Sequence, residues 1–128
     1  MSKRRVVITG LGTITPLGLN TADSWQGVQN GVCGIAPITL YDPSEQKVKL
    51  AAEVKGFQPE EYMTKAEAKR MGRFTQFAVA AAKQALADAN FNVEQADPDR
   101  CGVIISSGIG GPASPGRADT CPRAKPAA

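Results

Sequence analysis

Apolar and polar positions alternate between two periods along this chain, and the switches mark its elements. Residues 5–9, Arg-Val-Val-Ile-Thr, form a short β-branched run entered from charged residues, which predicts a first strand buried on both faces. It ends at Gly10-Leu-Gly12, and Pro16 and Gly18 make residues 13–18 a loop. Asn20 or Thr21 then caps a helix running to about Asn30, with Ala22, Trp25 and Val28 as its predicted inner face and Gly31 as its stop. Residues 32–47 lack a period and read as a long connection. Val48, Leu50, Ala52 and Val54 alternate with more polar neighbours, predicting a strand at an edge or on the surface.

Thr64 and Glu67 are spaced as a capping box, and Met71, Phe74, Phe77, Ala81, Ala85 and Ala89 recur at helical intervals. They predict one helix over residues 64–90, packed closely along its alanine-rich second half. Gly72 is a poor interior residue in such a helix, costing about 1 kcal/mol relative to alanine. A polar link with Asp97-Pro98 leads to Gly102-Val-Ile-Ile, a second strand predicted to be buried, with Cys101 at its start as a small buried hydrophobe. Gly108, Gly110 and Gly111 follow as a turn. That turn is either a site or a tight closure of a core strand. Residues 112–128 contain no Val, Ile, Leu, Met, Phe, Trp or Tyr, so burial cannot offset their ordering entropy, and disorder is expected.

At 128 residues, with 42% hydrophobic and 21% charged content, the chain has the makings of one globular α/β domain. No apolar run approaches the ~20 residues of a membrane helix, and the basic N-terminus lacks the apolar core of a signal peptide. A cytoplasmic protein without membrane attachment is expected. The net charge is +3, of which residues 112–128 carry +2, leaving no phosphate-binding excess and no nucleic-acid partner. Histidine is absent altogether, which removes the commonest general base and metal ligand. Cys33, Cys101 and Cys121 lack metal-ligand spacing, so reduced thiols are expected.

Two glycine patterns touch on nucleotide binding. Gly10-Leu-Gly12 opens the GxGxxG fingerprint, but Thr15 stands in place of its third glycine and Pro16 follows. Gly108 to Ala113 satisfies the relaxed GxGxxA form, without a helix former after Pro112. Neither pattern calls for a cofactor. A nucleotide-binding α/β domain stands as the third functional reading.

Three separated strings carry a more specific signal: Arg4-Arg-Val-Val-Ile-Thr-Gly-Leu-Gly12 with Thr15-Pro-Leu-Gly18, Lys69-Arg-Met-Gly-Arg-Phe-Thr-Gln-Phe77, and Gly102-Val-Ile-Ile-Ser-Ser-Gly-Ile-Gly-Gly111. In this order they resemble the N-terminal part of the beta-ketoacyl-acyl-carrier-protein synthase II family, over residues 2–111. The resemblance implies an incomplete thiolase-like α/β fold, the N-terminal portion of its first half, with residues 112–128 as a non-family tail. Intact members are implied to be homodimers that condense a cysteine-bound acyl thioester with malonyl-carrier protein, releasing carbon dioxide, with two histidines assisting. Those three catalytic residues lie in family segments beyond the matched part, so no catalytic residue is carried over and an inactive acyltransferase relative is expected.

By the same resemblance, Gly108, Ile109 and Gly110 border the acyl pocket, with Ile109 either gating chain length or plugging the core. Lys65, Lys69 and Arg70 are implied to dock acyl-carrier protein, which is acidic. Arg73 continues their i, i+4 spacing, so the helix start reads as a basic ridge, or simply as a solvated face. Ala66 and Gly72 depart from the family, which often carries a basic residue and an aspartate at those places. The abrupt change after Gly111 suggests a shifted or interrupted reading frame. The alternative to a condensing-enzyme relative is a non-catalytic module that binds carrier protein or a subunit.

Overall fold

The computed structural model describes residues 3–108 and Gly110. Its elements are α1 (Thr21–Gln29), β1 (Ala36–Pro37), β2 (Leu50–Ala51), α2 (Lys65–Arg70) and α3 (Arg73–Asp88), with 3-10 turns at Pro59–Glu61, Val93–Gln95 and Pro98–Arg100. α3 is the longest element, and the N-terminal segment is laid against it.

The contact that fixes this arrangement is made by small residues. A Cβ at Gly10 would lie 2.6 Å from the Ala89 nitrogen, and one at Gly12 would lie 2.7 Å from the Ala85 nitrogen and overlap the Ala81 carbonyl oxygen. Only glycine leaves room for the backbone to come this close. Side chains of α3 then satisfy the approaching backbone, since Leu11 N–H donates to Asp88 Oδ2 at 2.9 Å and Thr13 N–H to Gln84 Oε1 at 3.2 Å. The other end of Gln84 donates to the Leu19 carbonyl at 2.7 Å and to the Tyr62 hydroxyl at 3.0 Å. One amide thereby joins three segments.

α1 starts as its sequence predicts, with Asn20 Oδ1 accepting from Asp23 N–H at 2.8 Å and Gly31 leaving the helix at a φ of 65°. Its inner face differs from the expected one. Ser24 and Gly27 are buried, while Trp25 and Val28 are 60% and 56% exposed. The 13–18 loop is the reason, because it presses backbone and Leu17 onto the small side of the helix. A Cβ at Gly27 would meet Leu17 Cβ at 3.0 Å, and one at Gly18 would lie 2.6 Å from Ser24 N. The hydroxyls of Thr13 and Thr15 each bond to that of Ser24 across this seam, and Ser24 Oγ also donates to the Gly18 carbonyl at 3.2 Å.

The helix expected over residues 64–90 is two helices. Thr64 and Glu67 form the anticipated capping box at the start of α2. The break comes at Met71 and Gly72, whose ψ angles of 137° and 155° are extended, and Gly72 becomes the N-cap of α3. Gln76 bridges the break, since its Nε2 donates to the Met71 carbonyl at 3.3 Å and to the Ala68 carbonyl at 2.9 Å, which also accepts from the Met71 N–H. The glycine marked as a weak interior position is thus a boundary.

The expected strands are largely absent as ladders. The alternating stretch 48–54 contributes only Leu50–Ala51, antiparallel to Ala36–Pro37 inside the segment read as a connection. Beyond it the Glu53 carboxylate takes over the pairing, accepting from the N–H groups of Thr39 and Leu40. Residues 5–9 and 102–105, expected as buried strands, are exposed and belong to no ladder among the described residues. A strand is defined by its neighbour, and neither run has one here. Cys101, expected to be buried, is exposed with them. Among the described residues the buried apolar side chains are Phe57, Met63 and Ala80, and Phe57 meets Phe77 edge-on at 4.9 Å.

The seam on α3 predicts the response to one added methyl group. Gly12→Ala, overpacked against Ala81 and Ala85, should lower unfolding free energy by about 1–3 kcal/mol. Gly102→Ala, with nothing within 4 Å, should stay within about 0.5 kcal/mol of the parent in urea denaturation.

Candidate functional site

At the start of α2, positive charge, exposure and a concave surface coincide. Pro59–Glu61 turns the chain into it, and Thr64 fixes the first turn. Lys65 and Lys69, one helical turn apart, line an open cleft of about 450 Å³ with Glu60, Ala68 and Gln76. Arg70 is exposed beside them at the last position of the helix.

Electrostatics stabilise the helix that carries these lysines. The Thr64 backbone N–H donates to the Glu67 carboxylate at 2.9 Å and the Thr64 hydroxyl at 2.8 Å, and together they hold the Glu67 carboxyl below its ordinary value, with Lys83 adding a smaller push. Lys83 itself donates to the Tyr62 carbonyl. The Glu53 carboxyl is lowered in the same way, chiefly by the Thr39 hydroxyl and its backbone N–H.

Arg73 does not belong to this surface, in contrast to the ridge expected from its spacing. The break at Gly72 places it on α3, where its guanidinium donates to the Val54 carbonyl at 2.8 Å and lies 4.9 Å from the Phe77 ring centroid and 5.9 Å from that of Phe57. It is a clamp between the aromatic cluster and the 50–55 segment. Sequence spacing missed this because i, i+4, i+8 describes a face only while the helix is continuous.

The glycine turn after residue 107 is described in part. Gly110 has a φ of 81° and donates its N–H to Ser107 Oγ at 3.0 Å, while a side chain at Gly108 would meet open space. Ile109 lies outside the described residues, as do Cys121 and residues 112–128. The earlier pair, Gly10 and Gly12, turns its open side to α3, so the space a phosphate would need is filled by Ala81, Ala85 and Ala89. Among the described residues, no group of three or more His, Cys, Asp or Glu side chains is placed to hold a metal ion. No described helix is long and apolar enough to cross a membrane.

Helices packed on a glycine-bearing N-terminal segment, with a short antiparallel strand pair between α1 and α2, define a partial thiolase-like domain of α/β class. The chain belongs to the beta-ketoacyl synthase family, whose N-terminal domain it matches over residues 3–125. That match runs past Gly111, into the segment read from sequence as a tail. The chain is 47% identical over 111 residues to a 3-oxoacyl-[acyl-carrier-protein] synthase 2 of Synechocystis, and 45% identical over 108 residues to one of Staphylococcus aureus. These alignments take in 87% and 84% of this chain but 27% and 26% of the relatives, so it spans about a quarter of their length. The resemblance to synthase II is thereby borne out.

Solved structures agree on the fold. The ishigamide ketosynthase/chain length factor superposes with a TM-score of 0.66 at 35% identity, over 73% of this chain and 23% of that one. A beta-ketoacyl synthase of Burkholderia phymatum gives 0.60 at 30% identity, over 76% and 24%.

Two measurements test this division of labour. Arg73→Ala should destabilise the fold by about 1 kcal/mol through loss of its ring contacts, while Lys65→Ala and Lys69→Ala should move it by less than about 0.5 kcal/mol. The second concerns pH. Because the folded-state pKa of Glu67 lies below the unfolded one, its contribution is complete above the ordinary glutamate range and lost as pH falls through the lowered value. Amide shifts of Thr64 and Glu67 should therefore titrate together below pH 4.5, and Glu67→Gln should abolish that step.

Proposed function

We propose that this chain carries the docking part of a beta-ketoacyl synthase rather than its chemistry. The family reaction we assign to the lineage is decarboxylative condensation of an acyl thioester with malonyl-acyl-carrier protein in fatty-acid elongation. The relatives' names, 3-oxoacyl-[acyl-carrier-protein] synthase 2, support that substrate class. What carries the docking reading is the exposed pair Lys65 and Lys69 on one cleft wall, with Arg70 beside them, on a helix start held by its own cap. An acidic carrier domain meeting such a surface gains steering and a weak, salt-sensitive hold.

By itself the 128-residue chain is proposed to be inactive. Condensation through a cysteine thioester needs an activated thiolate and groups that stabilise the developing negative charge. The chain has no histidine to serve. Cys33 lies in the loop after α1, where its thiol meets the Ile35 carbonyl at 3.8 Å, and Cys101 follows a 3-10 turn, so neither occupies the N-terminus of a helix. The turn of Gly108, Ile109 and Gly110 is retained in the proposal as a border of the acyl pocket in the intact enzyme.

The test has two arms. The chain should release no carbon dioxide from malonyl-carrier protein above a heat-killed control, and release above it would refute the inactive reading. In an intact relative, Glu at the positions equivalent to Lys69 and Arg70 should raise KM for carrier-linked substrate about tenfold and flatten its salt dependence, with kcat nearly unchanged. An unaltered KM at low salt would refute the docking reading.

A further inference from the structure

The cleft at the start of α2 carries charge of both signs, and the two signs come from different elements. Lys65 and Lys69 stand on α2, while Glu60 reaches the same cleft from the Pro59–Glu61 turn. All three side chains are exposed. The other lining residues add no charge, since Ala68 is apolar and the Gln76 amide is engaged by the Ala68 and Met71 carbonyls.

Neighbouring carboxylates have roles within the fold. Glu53 accepts from Thr39 and Leu40, and Glu67 accepts from Thr64. Glu60 has no hydrogen-bond partner among the described residues, so its charge is left facing the cleft. An exposed carboxylate repels an approaching anion and attracts a cation over a range set by salt. A partner helix with acid on every edge would therefore meet the two lysines favourably and Glu60 unfavourably. A helix with acid along one edge and a cation on the next would meet all three favourably.

We propose that Glu60 is a specificity-determining residue of this cleft: together with Lys65 and Lys69 it selects a partner helix that is acidic along one edge and cationic beside it, over uniformly negative chains. The proposal rests on the docking reading above and adds the partner chemistry that the cleft would prefer. Its sign separates it from simple attraction. The chain carries a net charge of +3, so attraction alone favours the most negative partner, whereas Glu60 favours a less negative one with its cation in place.

Fluorescence anisotropy of two labelled peptides with the full 128-residue chain, at about 10 mM salt, supplies the test. Both peptides are alanine-based helices with glutamate at i, i+4 and i+8, and they differ only at i+3, on the neighbouring edge, which is lysine in one and glutamate in the other. Either docking direction is open to them, so the varied edge can reach Glu60. The parent should bind the lysine peptide about threefold more tightly. Glu60→Gln should reverse that order. Glu61→Gln, next in the chain but not lining the cleft, should keep it. Lys65→Ala/Lys69→Ala should weaken both peptides about tenfold. A parent that prefers the all-glutamate peptide or binds the two equally, or a Glu61→Gln chain that reverses the order as Glu60→Gln does, would overturn the role of Glu60 and leave the docking reading standing. A parent that binds neither peptide, or a double-lysine variant that binds both as the parent does, would overturn the docking reading and this proposal with it.

Discussion

The rest of the structure depends on how closely one backbone segment can approach one helix. Ala81, Ala85 and Ala89 recur every fourth residue on α3, and Gly10 and Gly12 lie against them with no space for a further carbon. At that distance the helix can act as a strand would. Asp88 and Gln84, one turn apart beside the alanines, accept the N–H groups of Leu11 and Thr13 that a sheet neighbour would otherwise take. The same Gln84 reaches the Leu19 carbonyl and the Tyr62 hydroxyl, so the 13–19 loop and the aromatic cluster are registered to the same point.

That arrangement separates the fold's framework from its charged surface. Arg73, Gln76 and Lys83 are polar side chains used internally, donating to carbonyls of residues 54, 62, 68 and 71. Lys65, Lys69 and Arg70 stay exposed on the short helix before the break. These three basic groups are therefore presented together, apart from the hydrogen bonds that hold the framework. In the docking role proposed above, an exposed basic face on a capped helix start would serve a brief, salt-sensitive encounter.

Much of this was legible in the residues, and the failures share a cause. Local hydrogen-bond signatures read correctly, because Thr64 with Glu67, Asn20 and Gly31 each act within a few residues of themselves. The alanine-rich end of α3 announced close packing, though not that two glycines would be its partner. What sequence could not supply was the neighbour. Trp25 and Val28 mark the apolar side of α1, yet Gly18 settles on Ser24 and the Leu17 side chain on Gly27, which leaves them outside. The runs at 5–9 and 102–105 have strand composition, but a ladder needs a second run in register, and period alone does not say whether one is present. Gly72 was visible as a defect in a helix; that Gln76 would cap the break required a contact across it.

Amide hydrogen exchange at single-residue resolution tests the seam on α3 most directly. If the backbone of 11–13 is held by the side chains of Gln84 and Asp88, the Leu11 and Thr13 amides should be protected together with the amides of residues 81–88. Gln84→Leu should release the Thr13 amide first. Leu11 and Thr13 exchanging at the unfolded rate while the amides of α3 remain protected would contradict it.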